Sequence, residues 1–166
     1  MSIKKIPLSV KIEGYLAEIK HTLTQDELNE KLPNYSSEGN AAFDLRLAIS
    51  EPLTLQPNES KVIGVGYAAW INDPNYVAYI LPRSGSGSKG IVVGNLVGVI
   101  DSNYQGEIKV CVWNRSNEVK TIEPWDRVAQ FIITPVVHGE INVVDNFETS
   151  TDRGEKGFNS SGTKYL

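Results

Sequence analysis

Apolar and polar residues alternate with a period of two along much of the chain. In Ile108-Lys109-Val110-Cys111-Val112-Trp113, the residues Ile108, Val110 and Val112 fall on one face of an extended strand, and Lys109, Cys111 and Trp113 on the other. Further runs rich in β-branched and aromatic residues span 62–70, 77–81, 91–100 and 128–137. Turn formers separate them: Pro57-Asn58, Asn72-Asp73-Pro74-Asn75, Ser102-Asn103 and Pro124. Many short strands at this spacing predict an all-β antiparallel sandwich or barrel. One short helix interrupts the pattern. Thr24-Gln25-Asp26-Glu27 fits a capping box, with Thr24 as N-cap and Glu27 reaching back to it, and Pro33 stops the helix after Leu32.

The chain's 166 residues suit one domain with its own core. The expected division is a β domain over residues 1–147 and a different kind of segment over 148–166. From 148 to 164 the one large apolar residue is Phe158, set among Gly154, Gly157, Gly162 and several serines. Such a segment buries too little to offset its ordering entropy. It is either a terminus without a role or a flap whose Arg153 and Phe158 suit a phosphate and a ring. A net charge of −4 argues against a non-specific nucleic-acid binder, so any bound polyanion must be small and met by a few placed groups. A single cysteine (Cys111) and two histidines (His21, His138) exclude an intramolecular disulfide and a Cys/His zinc site. With no signal-peptide pattern after Met1 and no apolar stretch near the ~18 residues of a spanning helix, the chain is expected to be soluble and cytoplasmic, with no membrane partner.

Two segments carry candidate chemistry. Gly85-Ser86-Gly87-Ser88-Lys89-Gly90 formally matches GxGxxG, but the strand-like Ile91-Val92-Val93-Gly94 follows it in place of the helix on which a dinucleotide's pyrophosphate rests. What survives is a small-residue loop whose main-chain N–H groups can approach an anion, with Arg83 and Ser84 as added donors; a plain flexible turn is the alternative. In the second segment, Gly98-Val99-Ile100-Asp101-Ser102-Asn103-Tyr104, a carboxylate directly follows an apolar strand. Asp101 either points into a pocket or caps a turn. Neither histidine sits in a triad-like setting, and there is no GxxxxGK[ST] loop.

Read in order, these segments resemble the five motifs of the trimeric dUTPase family, its bacterial members in particular. They stand as Ala41-Ala42-Phe43-Asp44-Leu45; Pro82-Arg83-Ser84-Gly85; Gly94-Asn95-Leu96-Val97-Gly98-Val99-Ile100-Asp101 through Tyr104-Gln105-Gly106; Asp126-Arg127-Val128-Ala129-Gln130; and Arg153-Gly154-Glu155-Lys156-Gly157-Phe158-Asn159-Ser160-Ser161-Gly162. The resemblance implies a distorted jelly-roll or β-barrel fold with one short helix and a flexible C-terminal tail. It also implies a homotrimer with active sites shared between subunits, and Mg2+-assisted hydrolysis of dUTP to dUMP and pyrophosphate. Such an activity cleans the nucleotide pool and supplies dUMP for thymidylate synthesis.

By that resemblance Asp101 activates the attacking water and Tyr104 packs beneath the deoxyribose. Asn95 and the backbone at Val99, Ile100 and Asp101 read the uracil edge. Arg83, Ser84, Gly85 and Gln130 meet the phosphates, Lys109 approaches the nucleotide, and Asp44 reaches the metal only through water. In the tail, Arg153, Ser160 and Ser161 meet the γ-phosphate while Phe158 stacks on the base. Ser86 and Gly87, Lys156 and Asn159 depart from the family's usual residues, and residues 16–35 make a longer connection than usual. A dCTP deaminase of the same fold and a non-catalytic regulatory binding protein are the alternatives.

Overall fold

The computed structural model describes residues 3–157. Phe158, Asn159, Ser160 and Ser161 lie outside the described residues. Ten short strands dominate the described residues: β1 (Ser9–Ile12), β2 (Ala42–Arg46), β3 (Leu53–Leu55), β4 (Ser60–Trp70), β5 (Tyr76–Pro82), β6 (Ile91–Val93), β7 (Gly98–Ile100), β8 (Glu107–Asn114), β9 (Lys120–Ile122) and β10 (Arg127–Pro135). They form two open four-stranded sheets, ordered β1-β4-β8-β6 and β2-β10-β5-β7, with β3-β9 as a separate pair. All pairings are antiparallel. The sheets pack by their apolar faces: Val65, Tyr67, Ile108, Val110 and Val112 of the first meet Phe43, Leu45, Ala78, Ile80, Ala129 and Phe131 of the second. Alternation in β8 reads out as expected, with Ile108, Val110 and Val112 all buried.

The stretch 91–100 is not one strand. β6 and β7 are separated by a turn in which Leu96 takes φ 63° and Gly94 N–H donates to the Cys111 carbonyl at 2.7 Å. The two pieces thereby serve different sheets, β6 pairing with β8 and β7 with β5. The run expected over 128–137 ends at Pro135.

The capped helix forms as α2 (Gln25–Lys31): Thr24 N–H donates to Glu27 Oε2 at 2.7 Å and Glu27 N–H to Thr24 Oγ1 at 3.3 Å. Two further short helices flank it in the chain, α1 (Gly14–Ile19) before it and α3 (Ser84–Ser88) in the glycine-serine loop. Gly and Ser are weak helix formers, so α3 is one turn closed by Gly87 N–H on the Arg83 carbonyl between two fixed strand ends. α1 lays the fully buried Leu16 over Gly66 of β4, which is why β4 is buried on both faces between residues 65 and 69. After β10 the described chain has no regular element, and Ile141, Val143 and Phe147 stand exposed. No helix among the described residues is long and apolar enough to cross a membrane.

Candidate active site

The register of one sheet assembles the first half of the site. Asp44 on β2 lies opposite Gln130 on β10, which lies opposite Leu81 on β5, so Asp44 and Gln130 share a face and Arg83 follows just past the strand end. Asp44 accepts from both flanking guanidiniums, Arg83 Nε at 2.7 Å and Arg127 Nη1 at 3.4 Å. Arg83 also donates from Nη1 to the Arg127 carbonyl at 3.0 Å, and Gln130 Nε2 to the Pro82 carbonyl at 3.0 Å. These residues, with Ser84 and Gly85, line a cavity of ≈ 710 Å³. Nothing lies within 4 Å of where a Cβ on Gly85 would sit, so its main chain is open to an incoming group.

Among the described residues, the charged ones lining the cavity are Lys31, Arg46, Arg83 and Arg127 against Glu30 and Asp44, four cations to two acids. That excess, from guanidiniums held in place by hydrogen bonds, suits a multiply charged oxyanion. Arg127 stood in the fourth motif without a role, and Arg46 was outside the motifs. The strand register could have found both, since Arg46, two places from Asp44, is paired with Arg127, three places from Gln130 across a bulge.

The second half sits on the β6–β7 turn and the β7–β8 hairpin. Asn95 Nδ2 donates to the Val97 carbonyl at 3.4 Å, and the neighbouring Leu96, Val97 and Val99 are exposed apolar residues. Ile100 closes β7 opposite Ala78, and Lys109 is exposed on β8 opposite Gly64. Asp101 closes its turn through the main chain, its carbonyl accepting from Tyr104 N–H at 3.1 Å. Its carboxylate is exposed and accepts no hydrogen bond from the described residues. The side chain therefore does not act as a turn cap and is available to a ligand or to water. Tyr104 lays its ring against Gly106, where a Cβ would come within 2.5 Å of the phenolic oxygen.

The two halves are far apart within one chain. Ile100 pairs with Ala78, so Asp101 leaves the sheet near the start of β5, whereas Arg83 follows its end. Five or six residues at ~3.3 Å each separate them by about 15–20 Å. Arg153 does not line the cavity; in the exposed tail it donates from Nε to the Lys156 carbonyl at 3.1 Å. No cluster of three or more His, Cys, Asp or Glu side chains able to hold a metal ion occurs among the described residues.

The dUTPase family profile matches residues 29–162. The deoxyuridine 5'-triphosphate nucleotidohydrolase of Idiomarina loihiensis is 50% identical over 150 residues, covering 89% of this chain and 99% of that protein. Its namesake from Haemophilus influenzae is 54% identical over 132 residues, 79% of this chain and 87% of that one. Among solved structures, the Staphylococcus bacteriophage 80alpha dUTPase with dUPNHPP matches with a TM-score of 0.74 at 28% identity, over 95% of this chain and 99% of that chain.

Proposed function

The chain belongs to the dUTPase family, and we propose that its cationic cavity and its free Asp101 carboxylate are the phosphate half and the water-activating half of a dUTP-hydrolysing site. The protein is a dUTP diphosphatase, hydrolysing dUTP to dUMP and pyrophosphate. The observation that carries the division of labour is the Asp101 carboxylate, exposed at a strand end and accepting no hydrogen bond from the described residues.

Attack of water on an anionic phosphorus demands charge neutralisation and in-line positioning more than covalent help. Arg83, Ser84, Gly85, Gln130 and Arg127 bind the phosphate chain through side-chain and main-chain donors. Asp101 holds the water and accepts its proton as the bond to phosphorus forms. The Tyr104 ring supports the deoxyribose and leaves no room for a 2′-hydroxyl. Asn95 and the main chain at Val99 and Ile100 read the uracil edge, and Lys109 approaches the nucleotide from β8. A site built to hydrogen-bond uracil rejects cytosine strongly, because its buried polar groups are left unpaired when the pattern is wrong.

Asp101 and Arg83 of a single chain are too far apart to act on one phosphorus, which supports a site shared between copies; in the homotrimer we propose, one copy supplies Asp101 and another the cavity. Arg153, Phe158, Ser160 and Ser161 of the tail then close over the nucleotide. Asp44 is already tied to two guanidiniums, so it fits contact with a cation through water better than direct ligation. Mg2+, when bound mainly by the triphosphate, offsets charge on the phosphate chain. We assign the enzyme to the cytoplasm, acting on a free nucleotide and not on nucleic acid.

The test is a panel of dUTP, dCTP, dTTP and UTP with Mg2+, scored for pyrophosphate and for ammonia. Pyrophosphate from dUTP alone is expected. Ammonia from dCTP would make the protein a deaminase of the same fold, and binding without turnover would make it a regulatory binder.

A further inference from the structure

Trp125 occupies an unfavourable backbone conformation. Its φ is 67°, in the left-handed region that a bulky L-residue avoids. It is the third residue of the turn Glu123-Pro124-Trp125-Asp126, closed by Asp126 N–H on the Glu123 carbonyl at 3.1 Å. With Pro124 in second place, the third place of such a turn favours glycine. The turn leads directly into Arg127, and its main chain is tied to the end of β2 and the residue after it: Trp125 N–H donates to the Leu47 carbonyl at 3.0 Å, and the Trp125 carbonyl accepts from Arg46 Nη1 at 3.0 Å. A residue strained in this way persists where its surroundings hold it, and here they hold the indole.

That indole is gripped by both helices of the long N-terminal connection. The Tyr15 ring of α1 stacks on it, centroids 6.2 Å apart and planes inclined by 23°. Lys31 Nζ, at the end of α2, stands 4.7 Å from the ring centroid. Past that contact the chain runs through Leu32, Asn34 and Asn40, which line the cavity together with Asp44, Arg83 and Arg127. One indole therefore links the arginine-bearing turn to the segment opposite it.

We propose that residues 30–40, carried on the helical segment that begins at Gly14, are a built-in wall of the polyphosphate cavity and that Trp125 is the positioning residue that docks it. The proposal rests on the reading of that cavity as a phosphate-chain site and gives the N-terminal segment a task within it. Trp125 touches no substrate. It sets the distance between the wall and the arginines, and a cavity of fixed width holds a phosphate chain with less ordering on binding.

Trp125→Gly separates the two roles of the residue, because glycine suits the backbone and removes the clamp. The expected result is a folded protein in which amide exchange over 14–40 accelerates. Its KM for dUTP and its Kd for inorganic tripolyphosphate should each rise by about ten-fold, with kcat falling less than KM rises. Trp125→Phe should restore most of the affinity. Tyr15→Ala, which removes the stacked ring and alters no residue lining the cavity, should accelerate exchange over 14–40 and weaken tripolyphosphate binding while leaving the turn untouched, and it decides the matter should Trp125→Gly fail to fold. Unchanged exchange and unchanged Kd in Tyr15→Ala, or in a folded Trp125→Gly protein, overturn the proposal. If the protein binds tripolyphosphate in a Trp125-dependent way but does not turn over dUTP, the wall stands and the reading of the reaction falls.

Discussion

Tyr104 donates its hydroxyl to the main-chain carbonyl of Glu107 at 3.0 Å, across the turn that its own N–H closes on Asp101. The phenol is thus fastened at both ends, and its ring orientation is set by the backbone of the hairpin that carries Asp101. A ring held this way can refuse a 2′-hydroxyl by shape. Tyr104→Ala should raise UTP hydrolysis relative to dUTP, whereas Tyr104→Phe, which loses one neutral hydrogen bond worth about 1 kcal/mol, should keep most of the discrimination. Initial rates on the two nucleotides measure this, and an unchanged ratio in Tyr104→Ala would move sugar sensing to another group.

Asp101 has a different relationship to the same turn. Its main chain builds the turn and its carboxylate is left over. Asp101→Asn should therefore preserve fold, assembly and nucleotide binding, yet cut turnover by roughly 10²–10⁴. Single-turnover kinetics beside a binding isotherm separate the two effects. Near-normal turnover retires Asp101 as the base.

Glu107 connects this hairpin to the strand behind it. Its carboxylate accepts from Gly66 N–H at 3.0 Å, at the bulge where β4 slips its pairing with β8 between Gly64 and Ala68. A Cβ on Gly64 would sit 2.1 Å from Glu107 Oε1. Gly64→Ala should then expel the carboxylate, strand the Gly66 N–H, and destabilise the protein by about 1–3 kcal/mol. Adding Glu107→Ala should cost less than the sum of the two single changes, because both remove one interaction. Denaturant unfolding of the four proteins measures it, and simple additivity would mean that the two residues do not share that contact.

The strands and the capped helix were legible because their signals are local. Ile108, Val110 and Val112 alternate, and Thr24 and Glu27 carry complementary groups three residues apart. The break inside 91–100 was not legible, since its cause is non-local: Gly94 N–H finds its acceptor on Cys111, in another strand. Site residues were legible as motifs and not as a constellation. Nothing in the order of the chain says that Asp44 bridges Arg83 and Arg127 while Asp101 lies at the far end of the sheet. The wall opposite them was illegible for a related reason, because the partners of Trp125 are Tyr15 and Lys31, some hundred residues earlier in the chain.

The capping box makes α2 sensitive to acid. The Thr24 main-chain N–H, and then the Thr24 hydroxyl, hold the Glu27 carboxyl below its ordinary range. A carboxyl with a folded pKa below its unfolded value contributes stability that is complete above the unfolded pKa and is lost as pH falls through the folded one. Amide exchange in α2 should accelerate as pH drops below the usual carboxylate range, beyond the intrinsic pH dependence of exchange. Glu27→Gln should flatten that excess. Since α2 ends in Lys31 at the cavity, affinity for tripolyphosphate should decline over the same window. An identical excess in Glu27→Gln would assign the acid sensitivity to another group.

The tail offers a clean separation of stability from activity. Among the described residues the last buried core residue is Phe131, with Ile133 packed against the same cluster, and those from 138 to 157 are all exposed. A chain ending before Arg153 should keep its Tm and its assembly state, because no core contact is removed among the described residues. Turnover should nevertheless collapse, because Arg153, Phe158, Ser160 and Ser161 are the groups assigned to the γ-phosphate and the base. Tail peptide supplied in trans should recover little, since it forfeits the high effective concentration that attachment provides. Full activity in the truncated protein would take the tail out of the mechanism, and a lowered Tm would instead give it a structural duty.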